Sequence, residues 1–184
     1  MKFDRSRFEH LSTIFENWWE GTLQRPVIQV TLEHASAEGG DFFASNYRKI
    51  ILEAMYDFDL PVSEAARLVD QAYDCVEYLG DALPVFYMRP TGILGGFLGQ
   101  EYELDRRQGT VWFKKLCPDL ESIASISLDE ANPLLQRSLA LTKAVQEYFD
   151  GGIGLGLPDF GGVMDIVASL RDANPFLLDL CLEP

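Results

Sequence analysis

The sequence predicts a single domain, residues 1–184, of the α/β class with a mainly parallel sheet. Two observations lead to this prediction. Amphipathic helical stripes alternate along the chain with short apolar or β-branched runs. Because helices separate the runs, successive strands need crossover connections, which place neighbouring strands parallel. The chain is 47% hydrophobic, so its length allows one sizeable core.

The first elements are indicated by apolar spacing and by proline. Residues 4–20 carry apolar side chains at helical spacing and are followed by Arg25-Pro26, which breaks the helix. Residues 26–31 are rich in β-branched side chains and predict a strand. Further helices are predicted over residues 47–58 and 63–79, the second with Ser63 as its N-cap.

The middle of the chain combines an apolar run with glycine-rich connections. Residues 82–88 lack polar alternation, which is typical of a strand covered on both faces. Residues 89–99 are rich in glycine and leave room for one helical turn. Short extended pieces at 101–104 and 110–113 predict a small hairpin.

The last third has clear helix boundaries. Asn132-Pro133 is an N-cap followed by proline at the first helical position, and Gly151-Gly152 ends this long helix. Residues 152–157 predict the next strand, residues 162–171 a short helix, and Asn174-Pro175 the start of a final helix.

Charge and composition restrict the partners. The net charge of −14 repels phosphate backbones and predicts that the protein does not bind nucleic acid. No apolar run is long enough to span a bilayer, and the N-terminus lacks the apolar segment of a signal peptide, so we expect a cytoplasmic protein without a membrane partner. The three cysteines are far apart and predict neither a disulfide framework nor a zinc site.

Four segments resemble the uroporphyrinogen decarboxylase family, which contains porphyrinogen decarboxylases and methyltransferases that take a methyl group from a corrinoid. They are Arg25-Pro26-Val27, GDALPVF (80–86), GTVWF (109–113), and Ile153-Gly154 with Pro158 before a short helix. The resemblance implies a (β/α)8 TIM-type barrel, which typically needs about 250 residues. This chain would supply roughly its first half, with the N-terminal helix across the base.

In such a barrel the residues after each strand line the active-site mouth. The stretch GLGLPDFGG (154–162) follows the third strand, where we expect Gly154 and Gly156 to allow close approach of a helix or ligand. Its glycine amides at a helix start would favour an anion. The expected catalytic residues are Tyr87, Arg89 and Asp159, and the expected substrate-binding residues are Thr31, Glu33, His34, Gly161 and Gly162.

Several of these residues have a purely structural alternative. Asp159 is either an acid or base in the mouth or the N-cap of the next helix. Arg89 either holds an anion or forms a surface ion pair with Glu101 or Asp105. The neighbours Glu33 and His34 form either an acid–base pair or part of a polar loop.

Three departures from the decarboxylases argue against that activity. Their arginine-rich motif after the first strand is replaced here by residues 29–33, which contain no arginine. Their catalytic aspartate ends the second strand, where this chain has residues 87–89, and their tyrosine after the third strand has no counterpart in residues 163–170. We therefore expect a corrinoid-linked methyltransferase or related enzyme. The alternatives are a decarboxylase (lyase) of tetrapyrrole biosynthesis and a non-catalytic binding or scaffold protein.

The resemblance also implies partners. The methyltransferases use zinc and a corrinoid protein, but their zinc ligands lie in the half of the family that this chain lacks, so no metal ligand is predicted here. The apolar end, residues 176–182, is typical of a chain cut short. An open half-barrel would leave strand edges unpaired and Val27, Val85 and Leu155 uncovered. We therefore expect a homo-oligomer or a marginally stable fragment that binds a small-molecule substrate.

Overall fold

The computed structural model describes residues 5–34, 46–89 and 91–182. None of the helices in these ranges combines the length and the apolar character that a membrane span needs. The helices are α1 (Arg5–Trp19), α2 (Asn46–Tyr56), α3 (Val62–Tyr73), α4 (Ile93–Phe97), α5 (Leu120–Ala124), α6 (Pro133–Tyr148), α7 (Val163–Arg171) and α8 (Ala173–Leu182). The strands are β1 (Gln29–Glu33), β2 (Val76–Gly80), β3 (Val85–Phe86), β4 (Tyr102–Asp105), β5 (Thr110–Phe113) and β6 (Gly154–Leu155).

The main core forms where α3 packs against both α2 and α6. The buried face of α3 consists mostly of small side chains, which let the two neighbouring helices approach closely. Long apolar side chains from α2 and α6 fill the space around it. The fully buried residues of these three helices include Ala54, Met55, Ala65, Ala66, Val69, Ala72, Leu141 and Val145.

A buried arginine connects two of the core helices. Arg137 of α6 is only 8% exposed, and its guanidinium donates to the carbonyls of Ala54 (2.9 Å) and Leu60 (2.7 Å). These carbonyls lie at the C-terminal end of α2 and in the turn after it, where helical carbonyls lack partners within the helix. Burial lowers the pKa of Arg137. The arginine therefore acts as a cap on a helix that belongs to another part of the chain.

The described strands pair as three two-stranded sheets. The pairs β1–β2 and β4–β5 are antiparallel, and β3–β6 is parallel, with Val85 opposite Gly154 and Phe86 opposite Leu155. These strands form no closed barrel. The predicted hairpin is confirmed as β4–β5, whereas the expectation of a mainly parallel sheet is wrong for the described pairs. The half-barrel remains a prediction.

The sheet differs from the predicted parallel arrangement because α3 ends earlier than expected. The sequence predicted a helix through residue 79, but α3 ends at Tyr73, and the following segment is β2. Val76 and Leu79 fit helical spacing, yet Val76 is buried, Glu77 is exposed and Tyr78 is half-buried, which is the alternation of a strand. β2 supplies β1 with an antiparallel partner.

Other boundaries shift for local reasons. The three predicted strands are present but shifted or shorter than expected, as β1, β3 and β6. Pro61, not Ser63, is the N-cap of α3, whereas Asn132 caps α6 as predicted and accepts from the Leu135 amide. The helix α5 was not predicted, although Asp119 caps it by accepting from the Ser122 amide.

A closed polar cluster, the Arg25–Asp81 corner, joins the segment before β1 to the end of β2. The Asp81 carboxylate is almost fully buried and accepts two bonds from the Arg25 guanidinium and one from the Ile28 amide (2.9 Å). Arg7 of α1 donates to the carbonyls of Tyr78 (2.8 Å) and Ala82 (3.2 Å) beside it. The hydrogen bonds from Arg25 and, to a smaller extent, from the Ile28 amide lower the pKa of Asp81 to about 2.

Apolar side chains remain uncovered on several elements. Val85 and Leu155, which the half-barrel prediction singled out, are 36% and 40% exposed, whereas Val27 is half-buried. Self-association through such residues remains a prediction. Larger exposed fractions occur at Trp19, Leu157, Val163, Leu177, Leu178 and Leu182.

Candidate functional site

The parallel pair β3–β6 brings two chain segments to the same edge of a sheet. The pairing continues past the strands, because the Gly154 amide donates to the Pro84 carbonyl and the Gly156 amide to the Phe86 carbonyl. Since both strands run in one direction, their carboxyl ends lie together. The Gly92 amide also donates to the Asp159 carbonyl (2.8 Å), which ties the two following segments to each other.

A cleft of 470 Å³ opens beside these strand ends. Its volume falls in the range of roughly 300–1,000 Å³ that is typical of small-molecule sites. The three side chains predicted to be catalytic, Tyr87, Arg89 and Asp159, all line it. The cleft is completed by side chains of α2 and by the β4–β5 hairpin, including Tyr47, Arg48, Met55, Gln108, Thr110 and Trp112.

Arg89 is held from several directions. Its guanidinium carbon lies 5.0 Å from the ring centroid of Tyr87 and 5.6 Å from that of Tyr47, both within cation–π range. Its backbone carbonyl accepts from the Tyr56 hydroxyl, and its amide lies 3.3 Å from the Met55 sulfur. These contacts hold both the backbone and the charged group of Arg89 at the cleft wall.

Within the described ranges, no carboxylate forms an ion pair with Arg89. The two partners that the sequence suggested are engaged elsewhere. Glu101 lies 3.9 Å from the ammonium of Lys114, and Asp105 accepts from the amides of Arg107 and Gln108. Among the described residues, no carboxylate therefore occupies the guanidinium of Arg89.

A layer of buried tyrosines lies behind Arg89. The ring of Tyr47 stacks on Tyr73 (6.2 Å between centroids), and Tyr73 also contacts Tyr78 edge to face. Burial raises the pKa of all three phenols, and the positive charge of Arg89 partly opposes the rise. The phenols therefore stay neutral at physiological pH and do not neutralise the guanidinium.

Asp159 is exposed to the cleft, and its Oδ1 atom accepts from the Gly161 amide (3.0 Å). It is not the N-cap of α7, because Gly162 occupies that position and its own amide donates to Asp165 Oδ2 (3.0 Å). The prediction that the Gly161 and Gly162 amides are free for an anionic ligand is therefore wrong. Carboxylates of the same loop and helix already occupy both amides.

Gly154 and Gly156 have a packing role. A Cβ atom on Gly154 would lie 3.1 Å from a Val85 methyl, and one on Gly156 would lie 3.2 Å from the other methyl. Both glycines thus allow β3 to approach β6 closely. We expected these glycines to make room for a helix or ligand, but this geometry shows close packing of two strands instead.

The candidates after the first strand lie outside the cleft. Thr31 is exposed on β1 opposite Tyr78, and His34 is exposed, with its amide donating to the Cys75 carbonyl (2.9 Å). The Glu33 carboxylate accepts from Arg48 (3.2 Å) and forms an ion pair with it. These residues miss the cleft because β1 pairs with β2 and not with β3.

Sequence analysis missed most residues of the cleft, among them Tyr47, Arg48 and Trp112. Tyr47 was assigned only to a helical stripe, and Arg48, its neighbour, was not considered. Trp112 was noted only as part of a resembling segment, although it is 61% exposed. The alternation in β5, with Val111 buried and Trp112 exposed, could have identified an aromatic side chain that does not belong to the core.

No group of three His, Cys, Asp or Glu side chains that could hold a metal ion occurs in the described parts of the chain. Comparisons with protein-family models, curated proteins and solved structures found no match to the chain. The zinc and corrinoid expectations therefore remain predictions. The cleft offers a ligand three groups: a guanidinium in contact with aromatic rings, an exposed carboxylate and an exposed indole.

Proposed function

We propose that the protein binds an anionic small molecule in the cleft at the ends of β3 and β6, with Arg89 as the anion-binding group. The observation that carries the proposal is the state of Arg89: its charged group contacts the rings of Tyr47 and Tyr87, and it has no carboxylate partner among the described residues. The planar fork of N–H groups on a guanidinium matches the geometry of a carboxylate or phosphate.

The acidic composition makes an arginine without a carboxylate partner unusual. With a net charge of −14, carboxylates that could pair with arginine are abundant. Two other arginines are paired with carboxylates, Arg25 with Asp81 and Arg48 with Glu33, whereas the buried Arg137 donates to backbone carbonyls. Arg89 is half-buried and has no such partner among the described residues, and in a cleft of suitable size a ligand would supply the negative charge.

Asp159 is proposed to exchange a proton with the bound molecule. It is an exposed carboxylate that lines the same cleft as Arg89, and the Gly161 amide orients one of its oxygens. A positioned carboxylate of this kind serves in general acid–base catalysis. An enzyme of the uroporphyrinogen decarboxylase-like type, with methyl transfer from a corrinoid protein favoured, remains the proposed class. A non-catalytic anion-binding protein is the alternative.

The proposal is tested by titrating the isotope-labelled protein with acetate and with inorganic phosphate while following the indole N–H resonance of Trp112. Saturable shifts are expected in the unaltered protein. In Arg89→Gln the affinity should fall about tenfold or more, because a charge-assisted hydrogen bond contributes about 1.5–3 kcal/mol. The matched control is Lys143→Gln, which removes an exposed cation of α6 outside the cleft.

Two outcomes separate the possibilities. Equal anion affinity in Arg89→Gln and in the unaltered protein would contradict the proposal. If Asp159→Asn binds the anions normally but no candidate substrate of the methyl-transfer class is turned over by the unaltered protein, the non-catalytic alternative is favoured.

A further inference from the structure

We infer that the ligand carries its anion on a planar, conjugated ring, and that Trp112 is the residue that stacks on this ring. The inference rests on the proposed function, because it assumes that the ligand occupies the cleft beside Arg89. It adds the substrate class, an aromatic or conjugated anion, and a binding residue that the expected site did not include.

The first observation is the placement of Trp112. In β5 the side chain of Val111 is buried in the core, and the side chains before and after it belong to the opposite face. Thr110 and Trp112 both line the cleft. The alternation of the strand thus directs the indole towards the site and away from the core.

The second observation is that the Trp112 ring is exposed, whereas the other aromatic rings of the cleft already contact protein groups. Tyr47 is stacked on Tyr73 and faces Arg89, and Tyr87 also faces Arg89. Trp112 is 61% exposed, and in the described ranges it forms no aromatic pair and no cation–π contact. Single exposed apolar side chains are common on protein surfaces, but an indole in the wall of a cleft offers a large stacking face.

The third observation is the composition of the remaining wall. Around Trp112 the hairpin contributes Gln108, Gly109 and Thr110, which are small or polar. The apolar part of the wall comes from α2, which contributes Ile51, Leu52 and Met55. The cleft thus combines an exposed indole, an apolar wall and a guanidinium, a set of groups that suits a flat ring with an anionic substituent.

The test compares three probes of similar size: benzoate, the neutral benzamide, and cyclohexanecarboxylate, which has the charge but no conjugated ring. Affinities are measured from resonance shifts in the isotope-labelled protein. Benzoate should bind about fivefold tighter than cyclohexanecarboxylate, since aromatic pairs add about 0.5–1.5 kcal/mol beyond area burial. Benzamide should bind about tenfold more weakly than benzoate because it lacks the charge.

Substitutions of Trp112 test whether this residue causes the preference for benzoate. Trp112→Leu should remove the preference for benzoate over cyclohexanecarboxylate, and Trp112→Tyr, which keeps a ring, should retain most of it. Because Trp112→Leu could disturb the hairpin, the aromatic variant keeps the test valid. The matched control is Trp19→Leu on α1, where an indole that is 80% exposed lies outside the cleft.

The outcomes distinguish this inference from the proposed function. If both carboxylates bind equally and their binding requires Arg89, the inference is overturned and the anion site stands. If benzoate keeps its advantage in Trp112→Leu, Trp112 is not the stacking residue and the inference is also overturned. If no carboxylate binds in an Arg89-dependent manner, the proposed function itself fails.

Discussion

The Arg25–Asp81 corner and the cleft both contain an arginine next to a strand end, but they satisfy it differently. In the corner, the guanidinium of Arg25 meets a buried carboxylate that also accepts from a backbone amide. In the cleft, Arg89 is fixed by aromatic rings and has no carboxylate partner among the described residues. A satisfied polar cluster stabilises the fold, whereas a fixed but unpaired charge is available for binding.

The comparison predicts the largest loss of stability for Asp81→Ala. Removing the carboxylate leaves the Ile28 amide and the Arg25 guanidinium without their partner, so the free energy of unfolding should fall by about 3 kcal/mol. Arg89→Gln should change it by less than about 1 kcal/mol. Urea denaturation measures both changes, and Asp59→Ala, at an exposed turn position, is the control. Equal losses in Asp81→Ala and Arg89→Gln would remove the distinction between the two regions.

Arg137 extends the comparison to an arginine whose two hydrogen bonds go to backbone carbonyls, while its buried Nε atom has no partner among the described residues. Replacing it by methionine keeps much of the buried volume but leaves the Ala54 and Leu60 carbonyls without their donor. We expect a loss of about 2 kcal/mol, reduced by the removal of a buried charge. Lys143→Met on the same helix is the matched exposed control. A more stable Arg137→Met protein would show that burial of the charge outweighs its two hydrogen bonds.

Acid should weaken the corner selectively. The pKa of Asp81 is lowered to about 2 in the folded protein, below its value of about 4 in an unfolded chain. Its ionised form therefore contributes stability above about pH 4, and this contribution is lost as the pH falls through about 2. The unfolding free energy should decrease less steeply over this interval in Asp81→Asn than in the unaltered protein. Parallel acid profiles would show that the Arg25–Asp81 bond does not depend on this ionisation.

Much of the helical framework could be predicted because its signals are local. Asn132-Pro133 marks the start of α6 by capping geometry, and the stripe of α2 marks a buried face. The strand β2 could not be predicted in the same way, because Val76 and Leu79 fit both helical and strand spacing. Only its pairing with β1, which lies far away in the chain, decides between the two.

The sequence predicted those residues of the cleft whose position depends on strand direction. Tyr87, Arg89 and Asp159 follow β3 and β6, whose parallel pairing brings their ends together. The same reasoning did not hold for Thr31, Glu33 and His34, because β1 pairs with β2 in antiparallel orientation and not with β3. Arg48 and Trp112 reach the cleft through tertiary packing of a helix and a hairpin, and short-range sequence patterns do not contain that information.

The smallest predicted effects come from two buried tyrosines near Arg89. The Tyr56 hydroxyl donates to the Arg89 carbonyl, whereas the buried Tyr73 hydroxyl has no hydrogen-bond partner among the described residues. Tyr56→Phe should therefore cost about 1 kcal/mol and loosen Arg89, which would also weaken anion binding. Tyr73→Phe removes an unsatisfied polar group and should leave stability unchanged or raise it by up to about 1 kcal/mol. Because both substitutions delete one hydroxyl from a buried ring, denaturation of the two variants side by side isolates the hydrogen bond. If Tyr73→Phe were the more damaging of the two, the Tyr73 hydroxyl would have to be bound to a partner, and the layer behind Arg89 would be a polar network.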